Sequence, residues 1–283
     1  MLDVKLFGTP TLSNDGAQIG MSCRKAWSLI AIVAAGGGRP VARSRIAGQL
    51  WPDMDEERAR RALSTTLWRL GKLISRHDIR EDGLLRSDAL WISLAPGAGC
   101  DLRDFRMSLE AAEVGGGHEC LERAVALHAA DLLPEEDHSW TNLERESVRA
   151  LLVSALDKLL AYYESARDHQ NCLRIGQRLV AIEPYLEHAH RTLIWAYGGT
   201  GERAAAARQF GRCAKLLKSE LGLEPMPETV AAYAQALGVG TSESTLLRLA
   251  PAPAPGARPV GAIARLREHL QGAQSALDEL GRA

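Results

Sequence analysis

Shifted against itself by 34 positions, the middle of this chain repeats: Leu159 returns as Leu193, Leu160 as Ile194, Tyr163 as Tyr197, Asp168 as Glu202, Cys172 as Ala206 and Ile182 as Leu216. A period of that length holds two helices and their turns. Small residues on the second helix let the first pack closely, and large apolar ones fill the groove between them. One such unit cannot bury its own apolar face, so it must stack on neighbours. From Asp101 to about Leu237 nearly everything reads as helix, and this stretch is therefore expected to be an α-helical array.

The period is that of tetratricopeptide repeats. What precedes the array has a different grammar. Leu2, Val4 and Leu6 alternate, and Leu12 and Ile19 follow among Gly8, Pro10, Asn14 to Gly16 and Gly20, which reads as short strands joined by turns. Arg24 to Ala35 is a compact apolar helix stopped by Gly36 to Gly38, and Arg43 to Trp51 is a second helix ended by Pro52. Beyond Asp55, apolar residues at Ala59, Ala62, Leu63, Leu67, Leu70 and Leu73 or Ile74 predict a third, long amphipathic helix, with Asp53, Asp55, Glu56 and Glu57 placed to cap its start. Gly83 to Arg86 and Leu90 to Leu94, hinged at Ser87, Asp88 and Ala89, form a hairpin, and Pro96 to Gly99 a loop. Strands, three helices and a hairpin in this order describe a winged helix-turn-helix. The expected fold class is thus mainly α with a small α+β N-terminal domain, a winged helix-turn-helix followed by a tetratricopeptide-like array. Its divisions are 1–100, 101–238, a Pro/Ala/Gly-rich linker at 239–259 and an amphipathic helix at 260–283.

Charge separates the two halves. The chain of 283 residues carries a net charge of -1, but residues 1–105 hold 15 Lys and Arg against 12 Asp and Glu, and the rest 19 against 23. The steepest excess, ten basic against five acidic side chains, lies between Arg39 and Arg80 and suits a polyanionic partner. On the third helix the face opposite the leucines carries Arg58, Arg61, Ser64, Thr65, Trp68, Arg69 and Lys72. Such a helix fits the major groove of double-stranded DNA, with arginines reading guanine edges and Thr65 and Lys72 meeting phosphates. Arg86 beside the hairpin tip is a candidate wing contact. Trp68 either meets sugar and phosphate, touches a protein, or covers the helix-to-sheet edge, with packing favoured.

Chemistry that an enzyme needs is not evident. Gly36 to Gly38 lacks a following Gly-Lys-Ser/Thr and reads as a helix C-cap, while Gly115 to Gly117 reads as a break between helices. His188 and His190 lie two apart on a helix, cannot share a metal as an i, i+4 pair does, and are expected at the surface. Glu135, Glu136 and Asp137 read as a solvated loop before Trp140. The five cysteines are odd in number and contain no C-x-x-C pair, which suits a reducing cytoplasm and supports no zinc site or disulfide framework. No secretory leader and no membrane-spanning run are seen in the sequence. No metal, no cofactor and no enzymatic activity are expected.

In the last segment Ile263, Leu266, Leu270, Leu277 and Leu280 recur at coiled-coil spacing, so this helix either forms a dimer seam or docks on its own chain.

The order of residues resembles the bacterial activators of the Streptomyces antibiotic regulatory protein type. The matching stretches are RKAWSLIAIVAAGGGRPVARSRIAGQLWPDMDEERARRALSTTLWRL, DLRDF at 101–105, LLPEEDHSW at 132–140, LERE at 143–146, AIEPYLEHAHRTLIWAY and KLLKSELGLEPMPET at 215–229. The resemblance implies an OmpR-like winged helix joined to a bacterial transcriptional activator domain. It also implies a promoter-binding activator that contacts RNA polymerase, often as a homodimer on repeated sites, with the seven residues of the third helix at the recognition positions. This sequence departs from the pattern at Ser64, Thr65 and Trp68, where similar proteins tend to have more arginines, and Gly71 is a poor helix residue. No receiver or ATPase segment accompanies the two modules, so a signal, such as a small-molecule effector, is expected to enter through the array or the tail. The competing reading is a tetratricopeptide adaptor whose winged helix binds protein rather than specific DNA.

Overall fold

The computed structural model describes residues 1–239, so the tail from 240 onward, with its proposed leucine seam, lies outside the described residues. Alternation at the start becomes strand β1 (Leu2–Lys5), which pairs antiparallel with β2 (Thr11–Asn14), itself paired with β3 (Ala17–Gln18). The compact apolar helix is α1 (Arg24–Ala34), buried from Ala26 to Ala34 and followed by a glycine turn in which Gly37 takes a φ of 61°. After it come β4 (Val41–Ala42), α2 (Arg43–Leu50), α3 (Glu56–Ser75), and the hairpin strands β5 (Leu85–Ser87) and β6 (Trp91–Leu94).

Two pairings were not foreseen. Val41 and Ala42 pair with Ile92 and Trp91, so the hairpin is a three-stranded sheet tied to the start of α2. The expected loop at 96–99 ends in β7 (Gly99–Cys100), which runs parallel to β1. Glycine suits the close approach there, because a Cβ on Gly99 would lie 2.5 Å from Asp3 Oδ1 and the Asp3 side chain would have to turn away.

The array follows as α4 (Asp101–Ala111), α5 (Gly117–Leu127), α6 (Ser139–Ser165), α7 (His169–Ile182), α8 (Glu187–Gly199), α9 (Arg203–Leu216) and α10 (Pro227–Leu237). Pairs α6/α7 and α8/α9 are the two copies of the repeat. Leu159 and Leu193 are fully buried at matching places, as are Cys172 and Ala206. The turns match in their backbone bonds: Asp168 N donates to Tyr163 O at 2.9 Å, and Glu202 N to Tyr197 O at 2.8 Å. Gly115 and Gly117, at φ of 108° and 65°, mark the expected break between α4 and α5.

The winged helix and the array share one apolar core, running without interruption from Leu2 to Ala196. Phe7 meets Phe105 edge-on at 5.7 Å. The Asp101 carboxylate at the head of α4 is buried and accepts Leu6 N at 2.9 Å, Phe7 N at 3.1 Å and Leu102 N at 2.7 Å. From the array side the 131–133 segment closes on the same strand end, with Gly8 N donating to Asp131 O at 2.8 Å and Leu133 N to Leu6 O at 3.0 Å. Arg145 fixes that segment by donating to Leu132 O at 2.7 Å and to Glu136 O at 2.7 Å. Glu136 is therefore not a solvated loop residue: it is buried, with His138 Nε2 3.4 Å from its carboxylate.

His190 is corrected in the same way. It is 1% exposed, its Nε2 lies 2.9 Å from Pro184 O, and Gln209 sits 2.8 Å from Nδ1, whereas His188 is at the surface beside Asp157. Among the described residues no helix is long and apolar enough to cross a membrane.

Candidate nucleic-acid interface

Helix α3 starts where Asp55 caps it, its carboxylate accepting Arg58 N at 2.9 Å, with Glu56 and Glu57 in the first turn, where they complement the helix dipole. Ala59, Leu63, Thr66, Leu70, Gly71 and Ile74 are buried against the domain, and Ala62, Leu67 and Leu73 only partly so. The opposite side is a fan of solvent-exposed side chains: Arg58, Arg61, Ser64, Thr65, Trp68, Arg69 and Lys72 all lie on it. Arg86, at the end of the hairpin, is exposed as well. The structure thus brings these sequence-predicted residues out on α3 and the hairpin that flanks it.

Most of the cations are already engaged. Arg58 pairs with Asp55 at 3.2 Å, Arg60 with Glu56 at 2.6 Å, Arg61 with Glu57, and Lys72 with Glu81 at 2.7 Å. Such exposed pairs are worth little, so a polyanion can displace them at small cost. Arg69 makes no ion pair among the described residues. Ser64 and Thr65 donate back to Arg60 O and Arg61 O, both at 3.0 Å, as hydroxyls inside a helix commonly do; Thr65 keeps its acceptor lone pairs, while Ser64 uses one for Arg43.

Arg43, at the first turn of α2, was not singled out by sequence reasoning. Its guanidinium donates to Ser64 Oγ on α3 at 2.9 Å, and its other arm reaches Ser87 Oγ and the Asp88 carbonyl at the hairpin turn. Its backbone N donates to Leu90 O at 2.9 Å. One residue therefore links three elements, a relation no periodicity within a helix can reveal. The hairpin turn itself is Asp88 to Leu90, one residue later than expected. The Asp88 carboxylate accepts Leu90 N and Trp91 N, both at 2.7 Å, and these amides hold its pKa below the ordinary carboxylate value.

Trp68 overturns the packing preference. It is 61% exposed and borders a shallow cavity of about 260 Å³ between α3 and β5 rather than filling it. Leu90 and Trp91 are exposed on the same hairpin.

No cluster of three or more His, Cys, Asp or Glu able to hold a metal is found among the described residues. Burial pushes the Cys100 and Cys213 thiols up to about 12 and that of Cys172 to about 11, which leaves them protonated at neutral pH.

Residues 100–237 match the bacterial transcriptional activator domain family. The transcriptional regulatory protein MoaR1, in both Mycobacterium bovis and Mycobacterium tuberculosis, is 23% identical over 243 residues, covering 81% of this chain and 76% of the relative. Mycobacterium tuberculosis EmbR, solved in complex with a low affinity phosphopeptide, shares the fold with a TM-score of 0.62 at 21% identity, over 88% of this chain and 69% of that one. A winged helix followed by a bacterial transcriptional activator domain defines the class as transcriptional regulators. The order of a winged helix and that domain is the one that the resemblance to the Streptomyces antibiotic regulatory protein type leads one to expect.

Proposed function

We propose that this chain is a sequence-specific DNA-binding activator that lays α3 in the major groove of promoter DNA and sets the β5–β6 hairpin as a wing on the adjacent backbone. The observation that carries the reading is the single exposed fan on α3, cationic and hydroxylic, backed by a mostly apolar buried face and flanked by Arg86. Arg58 and Arg61 read base edges, while Thr65, Arg69, Lys72 and Arg86 meet phosphates. In this reading residues 1–100 form the reading head. Residues 101–238 serve dimerisation, recruitment of RNA polymerase or reception of an effector, and the protein works in the cytoplasm where its DNA is.

Selection of bound fragments from a randomised double-stranded library by the full-length chain, followed by salt titration of the enriched site, tests this. Enrichment of one motif with a steep fall of affinity with salt is expected, since each phosphate contact contributes about 0.9 to the log–log slope. The exposed Trp68, Leu90 and Trp91 favour the adaptor as second reading. No enrichment, together with capture of a stoichiometric protein partner through these residues, would establish it instead.

A further inference from the structure

A cavity of about 500 Å³ opens between the end of α6, the start of α7, the end of α8 and α10. That volume is in the range of small-molecule sites. Its walls carry chemistry as well as space. Arg167 and Glu164 stand on its rim, His169 and Trp195 form an aromatic wall with ring centroids 4.2 Å apart, and Gln235 faces them from α10. Among the described residues, neither Arg167 nor Glu164 forms an ion pair, although three positions separate them. Glu164 is instead held by the Thr192 hydroxyl, which donates to Oε2 at 3.2 Å. The Nδ1 of His169 is buried with no hydrogen-bond partner, a cost that a ligand donor or acceptor would relieve.

A comparison inside the molecule gives the second argument. The α6–α7 and α8–α9 turns are the same turn 34 residues apart, closed by the same backbone bonds: His169 N donates to Arg167 O at 3.1 Å, and Arg203 N to Gly201 O at 3.0 Å. Both require a left-handed residue. In the second copy that residue is Gly201 at a φ of 80°, the conformation glycine adopts without penalty, but in the first it is Arg167 at 53°. An arginine kept in a strained conformation, at a place where the fold is content with glycine, and lining a cavity, fits a functional residue better than a structural one.

We propose that this cavity binds a free α-amino acid with a large planar side chain. Arg167 takes the carboxylate in a two-pronged charge-assisted contact, Glu164 takes the ammonium group, and the side chain lies along Trp195 and His169. Two opposite charges on the same cavity, not paired with each other, match a zwitterion and match neither a simple anion nor a simple amine. The inference rests on the array alone and stands or falls independently of DNA binding.

Calorimetric titration of the full chain with the twenty amino acids, with phenylpropionate and with phenethylamine is the test. Saturable heat with one or more aromatic amino acids, and binding at least about tenfold weaker for the two single-charge analogues, supports the proposal. Absence of binding throughout the panel at millimolar concentration overturns it, and so does equal binding of phenylpropionate, which would mark a plain anion site. The variant Arg167→Gly is expected to lose the ligand while melting at or above the temperature of the parent, because it installs the residue the second copy already uses. A lower melting temperature would show that the arginine holds the turn together, which overturns its assignment as a ligand residue.

Discussion

At the scale of single residues, two arginines of the winged helix make opposite predictions for the proposed DNA binding in one experiment. Arg69 is exposed and uncommitted, so Arg69→Ala is expected to weaken binding of the selected site, and with Lys72→Ala to lower the salt slope by about 0.9 for each phosphate contact removed. Arg43→Ala is expected to weaken binding with the slope unchanged, because it holds Ser64 and the Ser87–Asp88 turn in register rather than touching phosphate. A slope that drops for Arg43→Ala would make it a phosphate ligand. Buried His190 supplies a pH prediction. Burial holds its imidazole below the ordinary 6.5, and the same holds for His128, where nearby Arg178 adds to the effect. The unfolded chain then takes up protons that the folded one refuses, so stability is complete above 6.5 and falls as pH drops through that value, by up to about 1.4 kcal/mol per pH unit for each group. Urea unfolding at several pH values checks this, and His190→Gln should flatten the dependence.

At the scale of elements, α3 contains one apparent flaw. Gly71 lies in the last third of α3, yet it is buried, and a Cβ there would meet Glu81 Cβ at 3.4 Å, an ordinary contact rather than a clash. Gly71→Ala is therefore expected to stabilise the domain by up to about 1 kcal/mol, read as a raised urea midpoint, with the exposed fan of α3 unchanged. Elements with strong internal periodicity were legible from sequence: the leucine stripe of α3, the 34-residue repeat, and the glycine breaks after α1 and α4. Elements defined by a partner were not. The two-residue strands β4 and β7 have no pattern of their own and exist because β6 and β1 offer them free edges. For the same reason the exposed fan on α3 could be read from a wheel, while Arg43, Trp68 and His190 could not. Their surroundings come from other segments, and a tryptophan's apolar bulk argues for burial until the neighbouring hairpin is seen to stop short of it.

At the scale of the whole molecule, the array closes over the first strand through Asp101 and the 131–133 segment, and the core does not pause at residue 100. Asp101→Ala removes the acceptor for three buried amides and is expected to cost about 2–3 kcal/mol, lowering the unfolding midpoint of the winged helix and the array together in a single transition. Two separated transitions would show that the halves are energetically independent. The same geometry governs how this protein can be taken apart and reused. A reading head grafted onto a foreign dimeriser by cutting after Cys100 would carry an open wound: Leu6 and Phe7 would lose their lid, and a strand end would be left to pair with whatever came near. A transplant that respects the seam has to bring along α4 and the strap that ends at Leu133, even if nothing else of the array is wanted.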